Sequence, residues 1–364
     1  FVELKKVKTE TVDMIFADPP YFLSNDGVTC KSGKMVSVNK GEWDTSLEIT
    51  ERLKYHRKWI RECREVLKDN GTIGFIAPSF GCATEPYYSA FNNALNKFKE
   101  KGYNTLLGDN CYKDLGIGIS NTPKLCAKEL NEMYSNGESD VLISCGGGEL
   151  MCEVVPFMDF EKIKNSKPKW YMGYSDNTNF TFLSTILADT AAIYGPCASS
   201  FGMEPWHEAI EDAFSLLKGK KLKFTSYDKW EKEGFKDEEN PLVPYNVTEP
   251  VAIKRFPDED VTFEGRLIGG CMDCLVNLMG TKFDKVRDFN EKYKEDGIIW
   301  FLEACELNVM SIRRTIWSME QAGWFENVKG FTFIFNKIKY INKISGGVSF
   351  NGKNIGHRGI SCKS

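Results

Sequence analysis

The sequence predicts an α/β fold: a parallel-sheet domain with a sharp strand-to-helix elbow, then a smaller β-rich domain, preceded by an N-terminal α/β fragment. Three observations carry this. Short apolar runs at residues 12–17, 140–144 and 297–302 each end in a polar or glycine-rich turn, as buried parallel strands do. Amphipathic repeats at three- to four-residue steps mark helices between such runs. The 364 residues also exceed one ordinary core and imply at least two domains.

Lys and Arg number 47 against 51 Asp and Glu, and the net charge of -4 disfavours a protein whose main task is gripping phosphate backbones. Twelve cysteines without regular spacing read as buried apolar residues of a reducing compartment, so a cytoplasmic location is expected. No apolar run approaches the ~18 residues of a membrane helix, and the N-terminus lacks a basic-then-apolar signal, so no membrane partner is expected. The first residue is Phe1, and the start reads as a truncation or a processed end. Cys271-Met-Asp-Cys274 has the spacing of a zinc half-site, but no second pair matches it and the chain holds 3 His. No metal is expected, and the two thiols read as partly buried after the Gly269-Gly270 turn.

Residues 12–17 read as a strand delivering the rigid loop Asp18-Pro19-Pro20-Tyr21 to the edge where open α/β sheets place their sites. Taken alone, this is also an ordinary strand-to-loop turn. With the flanking Phe22-Leu23-Ser24-Asn25-Asp26-Gly27 and Gly41-Glu42-Trp43-Asp44, it resembles the catalytic motif of DNA amino-methyltransferases. The resemblance implies that Asp18 and the Pro19 carbonyl accept hydrogen bonds from the target amine while Tyr21 stacks on a flipped base. A helix capped by Thr45 or Ser46 follows, with Leu53, Ile60, Cys63 and Leu67 on one face and a stop at Asn70-Gly71. His56 falls on its polar side, among Lys54, Arg57 and Lys58. The Phe-x-Gly-x-Gly turn that such enzymes use to cradle S-adenosylmethionine does not occur after residue 72. Residues 1–72 therefore read as a methyltransferase-like fragment without a cofactor, and nucleic acid is a partner only if that fragment functions.

Beyond Gly71-Thr72-Ile73 the character of the sequence changes. Residues 140–144 form an apolar strand ending in Cys145-Gly146-Gly147-Gly148-Glu149, where glycines allow positive φ and a close approach to backbone N–H groups. An ordinary strand-to-helix turn reads the same way. Trp170-Tyr-Met-Gly173-Tyr174-Ser175-Asp176-Asn177 adds a strand that turns sharply into a helix at Ser175, the geometry of a nucleophile elbow. It departs from Gly-x-Ser-x-Gly at Asn177.

With Gly195-Pro196-Cys197-Ala198-Ser199-Ser200-Phe201-Gly202 and the strand that presents Glu303, these segments resemble the LD-carboxypeptidase family of serine peptidases, which includes the microcin C immunity peptidases, over about residues 73–331. The resemblance implies Ser175 as nucleophile and an oxyanion hole from the Asp176 and Gly148 N–H groups. It implies Glu303 as the acidic triad member, with Glu306 as fallback, although Glu303 also reads as a helix-capping acid. The third member is a His in a Gly-His-x-x-Pro segment. Only His357, in Asn-Ile-Gly356-His357-Arg358-Gly359, remains for it, and the Pro is absent. His207 reads as a solvated residue in the first turn of a helix between Glu204 and Lys218. Trp230 and Phe235 stand in a charged inter-domain stretch, as substrate-stacking or interface aromatics.

The expected layout is a peptidase α/β domain at 73–203, an inter-domain segment at 204–242, a β-rich domain at 243–331 and a divergent tail at 332–364. The expected activity is serine-type hydrolysis near a carboxyl terminus, on a small peptide such as a muropeptide or on a peptidyl-nucleotide, impaired by the incomplete His segment. A homodimer is left open. A methyltransferase fragment is the alternative. The two incomplete signatures together suggest a chimera, as a truncated or misassembled reading frame produces.

Overall fold

The computed structural model describes residues 28–31, 34–37, 71–221, 223–253, 255, 262–335, 348–350 and 353–355. The chain divides into two compact units, Phe1–Gly71 and Thr72–Ser364. In the first, strands β1 (Val28–Lys31) and β2 (Lys34–Ser37) pair antiparallel, with Val28 opposite Ser37. The expected strand at 12–17, the motif Asp18-Pro19-Pro20-Tyr21 and the helix carrying Leu53 and Leu67 lie outside the described residues, as does His357.

The second unit opens with β3 (Thr72–Ile76), the inner strand of a four-stranded parallel sheet with β4 (Asn104–Leu107), β5 (Val141–Ser144) and β6 (Trp170–Met172), in the order β4-β3-β5-β6. Parallel neighbours need crossovers, which α1 (Tyr87–Glu100) and α2 (Pro123–Ser135) supply. The apolar residues of α1 that recur at helical spacing, Ala90, Phe91, Ala94 and Phe98, are all fully buried. Because successive strand residues point to opposite faces, Phe75 and Ile76 serve different cores. Phe75 joins Phe91, Phe98 and Phe201 on one side, and Ile76 joins Leu130 and Phe180 on the other.

The elbow helix α3 (Thr178–Ala188) is buried nearly all round, which is why its sequence is apolar without a clear polar face. Phe180 packs on Tyr134 of α2 and Tyr171 of β6, while Phe182 packs on Trp300 and Trp324 from the later part of the chain. The amphipathic α4 (Glu208–Leu217) follows, and then β7 (Lys229–Glu231) and β8 (Val247–Pro250) pair antiparallel.

The later part carries a three-stranded sheet in the order β11-β10-β9: β9 (Arg266–Cys271), β10 (Ile298–Ala304) and β11 (Val328–Phe335). These strands are parallel, with α5 (Met272–Leu278), α6 (Val286–Lys292) and α7 (Val309–Gln321) between them. Strand β10 alternates strictly. Ile298, Trp300, Leu302 and Ala304 enter the core, and the same period places Ile299, Phe301 and Glu303 on the other face. A last hairpin pairs β12 (Val348–Phe350) with β13 (Lys353–Ile355). Among the described residues no helix is long and apolar enough to cross a membrane.

Candidate active site

Strand β6 ends at Met172, and the chain reverses through Gly173 and Tyr174 into a 3-10 turn, Ser175–Asn177, that runs on into α3. Ser175 has φ of 60°, a left-handed conformation that a non-glycine residue adopts only where its surroundings hold it there. Gly173 makes room for the turn, since a Cβ there would lie 2.6 Å from Cγ of Asn177.

Asn177, the departure from the Gly-x-Ser-x-Gly pattern, fastens the elbow. Its Nδ2 donates to the carbonyls of Gly146, at 2.9 Å, and Tyr174, at 3.0 Å, and its Oδ1 accepts the Tyr171 hydroxyl. The elbow is thereby tied to the glycine turn at the end of β5. The carboxylate of Asp176 is a second tie. It accepts the Ser79 hydroxyl at 2.5 Å, the Met151 N–H at 2.9 Å and the Asn179 amide at 2.9 Å. Burial pushes the Asp176 carboxyl above the ordinary carboxylate range, against the pull of these donors. Its functional expectation concerns the backbone N–H; the side chain's structural work was not legible in the sequence.

Gly147 is the glycine that faces the serine, its would-be Cβ 3.3 Å from Ser175 Oγ. Gly148 follows with φ of 155°, and a side chain there would collide with Ser79 Oγ at 2.1 Å and the Gly118 carbonyl at 2.7 Å. Gly147 thus flanks Ser175, and its carbonyl accepts the Phe80 N–H at 2.7 Å.

Ser175 and Glu303 line one cavity of about 550 Å³, with Tyr194, Phe224, Tyr227 and Asp212 among its walls. A residue that sequence reasoning missed joins them: Tyr194 Oη accepts the Ser175 N–H at 3.0 Å and donates to Glu303. No motif marks Tyr194; the only signal was its place just before the Gly195-Pro196 loop. Glu306 is exposed, and its N–H donates to Asp273 at 3.1 Å. The cap of α7 is Asn308, whose side chain accepts from Met310 and Ser311. Neither Trp230 nor Phe235, the inter-domain aromatics singled out from the sequence, lines the cavity; Phe235 is 58 % exposed, and Phe224 and Tyr227 reach the cavity instead. His207 is the N-cap of α4, its Nδ1 accepting the Ala209 N–H at 3.2 Å. Among the described residues Ser175 Oγ has no hydrogen-bond partner.

Beneath the elbow, Cys271 and Cys274 are buried, and Cys271 precedes α5 as its N-cap. Its N–H donates to Thr178 Oγ1 at 2.9 Å, tying α3 to the second sheet. The Cys274 thiol, kept protonated first by its hydrogen bond with Cys271 and then by burial, points at the Ser175 carbonyl at 3.6 Å.

An elbow-mounted serine, a glycine turn beside it and a strand-end glutamate within one cavity define an α/β protein of serine-hydrolase architecture. Residues 73–195 match the profile of the LD-carboxypeptidase N-terminal domain, and residues 264–347 match that of the C-terminal domain. Through these two domains the chain belongs to the LD-carboxypeptidase family. Residues 12–129 match the profile of a DNA methylase, which overlaps the first of these.

The type II methyltransferase M2.DpnII of Streptococcus pneumoniae is 55% identical over 73 residues, 20% of this chain and 27% of that protein. The microcin C7 self-immunity protein MccF of Escherichia coli is 30% identical over 226 residues, 58% of this chain and 62% of that one. The chain therefore spans about a quarter of the methyltransferase's length and less than two thirds of MccF's. The solved structure of MccF in complex with aspartyl sulfamoyl adenosine superposes with a TM-score of 0.65 at 23% identity, covering 80% of this chain and 88% of that one, which shows the shared fold.

Proposed function

We propose that the second unit is a serine-type amide hydrolase acting near the carboxyl end of a small peptide or a peptidyl-nucleotide. The observation that carries this reading is the left-handed Ser175 set on an elbow, facing a cavity that it shares with Glu303. In this mechanism Ser175 Oγ attacks the scissile carbonyl and gives its proton to a base. Glu303 orients that base and stabilises its charged form. The oxyanion forms against the Asp176 and Gly148 N–H groups. The protonated base then releases the amine, and water repeats the sequence on the acyl-serine.

His357, outside the described residues, is the candidate base. Without the proline of its expected segment we assign this chain a slow turnover, because a neutral serine hydroxyl is a poor nucleophile. The aromatic walls, Phe224 and Tyr227, suit a planar ring. MccF has been solved with an aminoacyl sulfamoyl nucleoside, which supports the peptidyl-nucleotide over the muropeptide. The free cysteines among the described residues, most of them buried, support a cytoplasmic setting.

The test incubates the full chain with a muropeptide mixture and, separately, with aspartyl sulfamoyl adenosine. Slow cleavage that disappears in Ser175→Ala is expected. Cleavage that survives Ser175→Ala would sink the assignment. So would the absence of any Ser175 adduct with a fluorophosphonate.

A second reading rests on the methyltransferase match: Asp18, Pro19, Pro20 and Tyr21 form a fragment of an amino-methyltransferase site. The missing glycine-rich cofactor turn makes it the weaker one.

A further inference from the structure

Two parts of the site meet on a single hydroxyl. The ring of Tyr194 packs against Phe301 at 5.5 Å, on the strand face that also carries Glu303. A phenolic oxygen has one proton to give and lone pairs to receive. The backbone N–H of Ser175 can only donate, so the phenolic proton goes to the Glu303 carboxylate. The same contact engages the Ser175 N–H, which leaves the oxyanion to the neighbouring Asp176 and Gly148 amides.

We infer that Tyr194 is a positioning residue, clamping the left-handed backbone of Ser175 and the carboxylate of Glu303 to each other so that a base seated on Glu303 meets Ser175 Oγ at a fixed distance. This rests on the hydrolase reading above. Tyr194 does not itself serve as the base. Burial first, and the Glu303 charge next, push its phenol well above the ordinary tyrosine value, so it stays a protonated donor through neutral pH. Its anchorage is independent of substrate: Ile193 bridges Met172 of β6, and Ile193 N–H donates to the Tyr171 carbonyl at 2.8 Å. The clamp is therefore built into the first sheet and reaches across to the second.

The experiment uses the full chain with Tyr194→Phe, Glu303→Gln and the double variant. Tyr134→Phe controls for the loss of a buried tyrosine hydroxyl elsewhere, since Tyr134 Oη only donates to the Lys169 carbonyl at 3.3 Å. Three quantities are read: the rate of Ser175 labelling by a fluorophosphonate, kcat and KM on a cleaved amide, and hydrogen exchange at the Ser175 amide.

Tyr194→Phe keeps the ring and should slow labelling and kcat roughly 10- to 100-fold, the range for losing a charge-assisted hydrogen bond, with KM within about twofold. Exchange at Ser175 should rise at least about tenfold by the same reasoning, and Tyr134→Phe should change none of these. In the Glu303→Gln background the added loss should shrink to less than about threefold, since residues acting through one another are not additive. Equal labelling of parent and Tyr194→Phe overturns the inference, as do losses that simply multiply in the double variant.

A parent that never labels at Ser175 defeats the hydrolase reading instead. The clamp is then judged by exchange alone, and unchanged exchange in Tyr194→Phe refutes it. Should Tyr194→Phe fail to fold, Glu303→Gln decides: its amide oxygen still accepts from the phenol, so exchange at Ser175 must stay slow, and a rise refutes the clamp.

Discussion

Replacing Asn177 by alanine tests whether the elbow is held by side-chain hydrogen bonds or merely by the course of the chain. Asn177 is fully buried, and Tyr171, whose hydroxyl it accepts, is 1% exposed. The carbonyl of Gly146 keeps a second donor after the change, the Ser144 hydroxyl at 3.0 Å, so the main loss falls on Tyr171. Burial holds the Tyr171 phenol far above its ordinary value, so the change takes the Asn177 acceptor from a neutral donor whose remaining side-chain partner is the Ser144 hydroxyl. A buried hydroxyl stripped of its partner costs about 1–3 kcal/mol, and the lost amide bonds add about 1 kcal/mol, for a total of about 2–4 kcal/mol. With a urea slope of about 2 kcal/mol per molar, the unfolding midpoint should fall by about 1–2 M. Tyr171→Phe removes the same hydrogen bond from the other side. The double variant should therefore be less destabilised than the sum of the singles, by at least about 1 kcal/mol. A cost below about 0.5 kcal/mol for Asn177→Ala, or singles that add within that margin, refutes the reasoning.

Three further outcomes are expected. Asp176 has a folded carboxyl raised by burial above its unfolded value, so its protonated form favours the folded state. Relative to Asp176→Asn, the parent should gain stability as pH falls through the raised value and lose that gain as pH rises back through it; a pH-independent difference between the two in urea titrations contradicts this. S-adenosylmethionine should show no saturable calorimetric binding tighter than about millimolar, because no glycine-rich cofactor turn is present. Replacing the tail with a complete family C-terminus should raise turnover by on the order of 10⁴ or more if the parent lacks a working base, whereas His357→Ala should matter little. A parent as fast as the repaired chain and silenced by His357→Ala makes His357 the base and the tail native.

The strand preceding the elbow, the glycine turn and the strand that presents Glu303 were legible because each is a short local pattern: an apolar run, then residues that permit a tight turn. Period two in β10 further explains why Glu303 stands away from the core while Leu302 and Ala304 enter it. Tyr194 escaped because its role is a meeting of elements 109 residues apart, and nothing in the text around a tyrosine records what its hydroxyl will touch. Asn177 was visible only as a departure from a pattern, and its bond to the Gly146 carbonyl depends on the glycine turn of another strand. The parallel arrangement of the last sheet was equally hidden. Strands β9 and β10 are separated by two short helices, Met272–Leu278 and Val286–Lys292, whose few turns leave little periodic signal.

The shared burial of α3 has a consequence for synthesis. During translation the face of α3 that carries Phe182 has no cover until Trp300 and Trp324 have left the ribosome. At ~5–20 residues per second that interval is on the order of ten seconds, long for an exposed aromatic surface. A nascent chain halted after β8 would present this face to its neighbours and to chaperones. Expression trials that cut the protein between its two sheet layers should therefore yield aggregates. Co-expressing the missing half as a separate chain should restore solubility, because the cover for Phe182 need not be covalently attached.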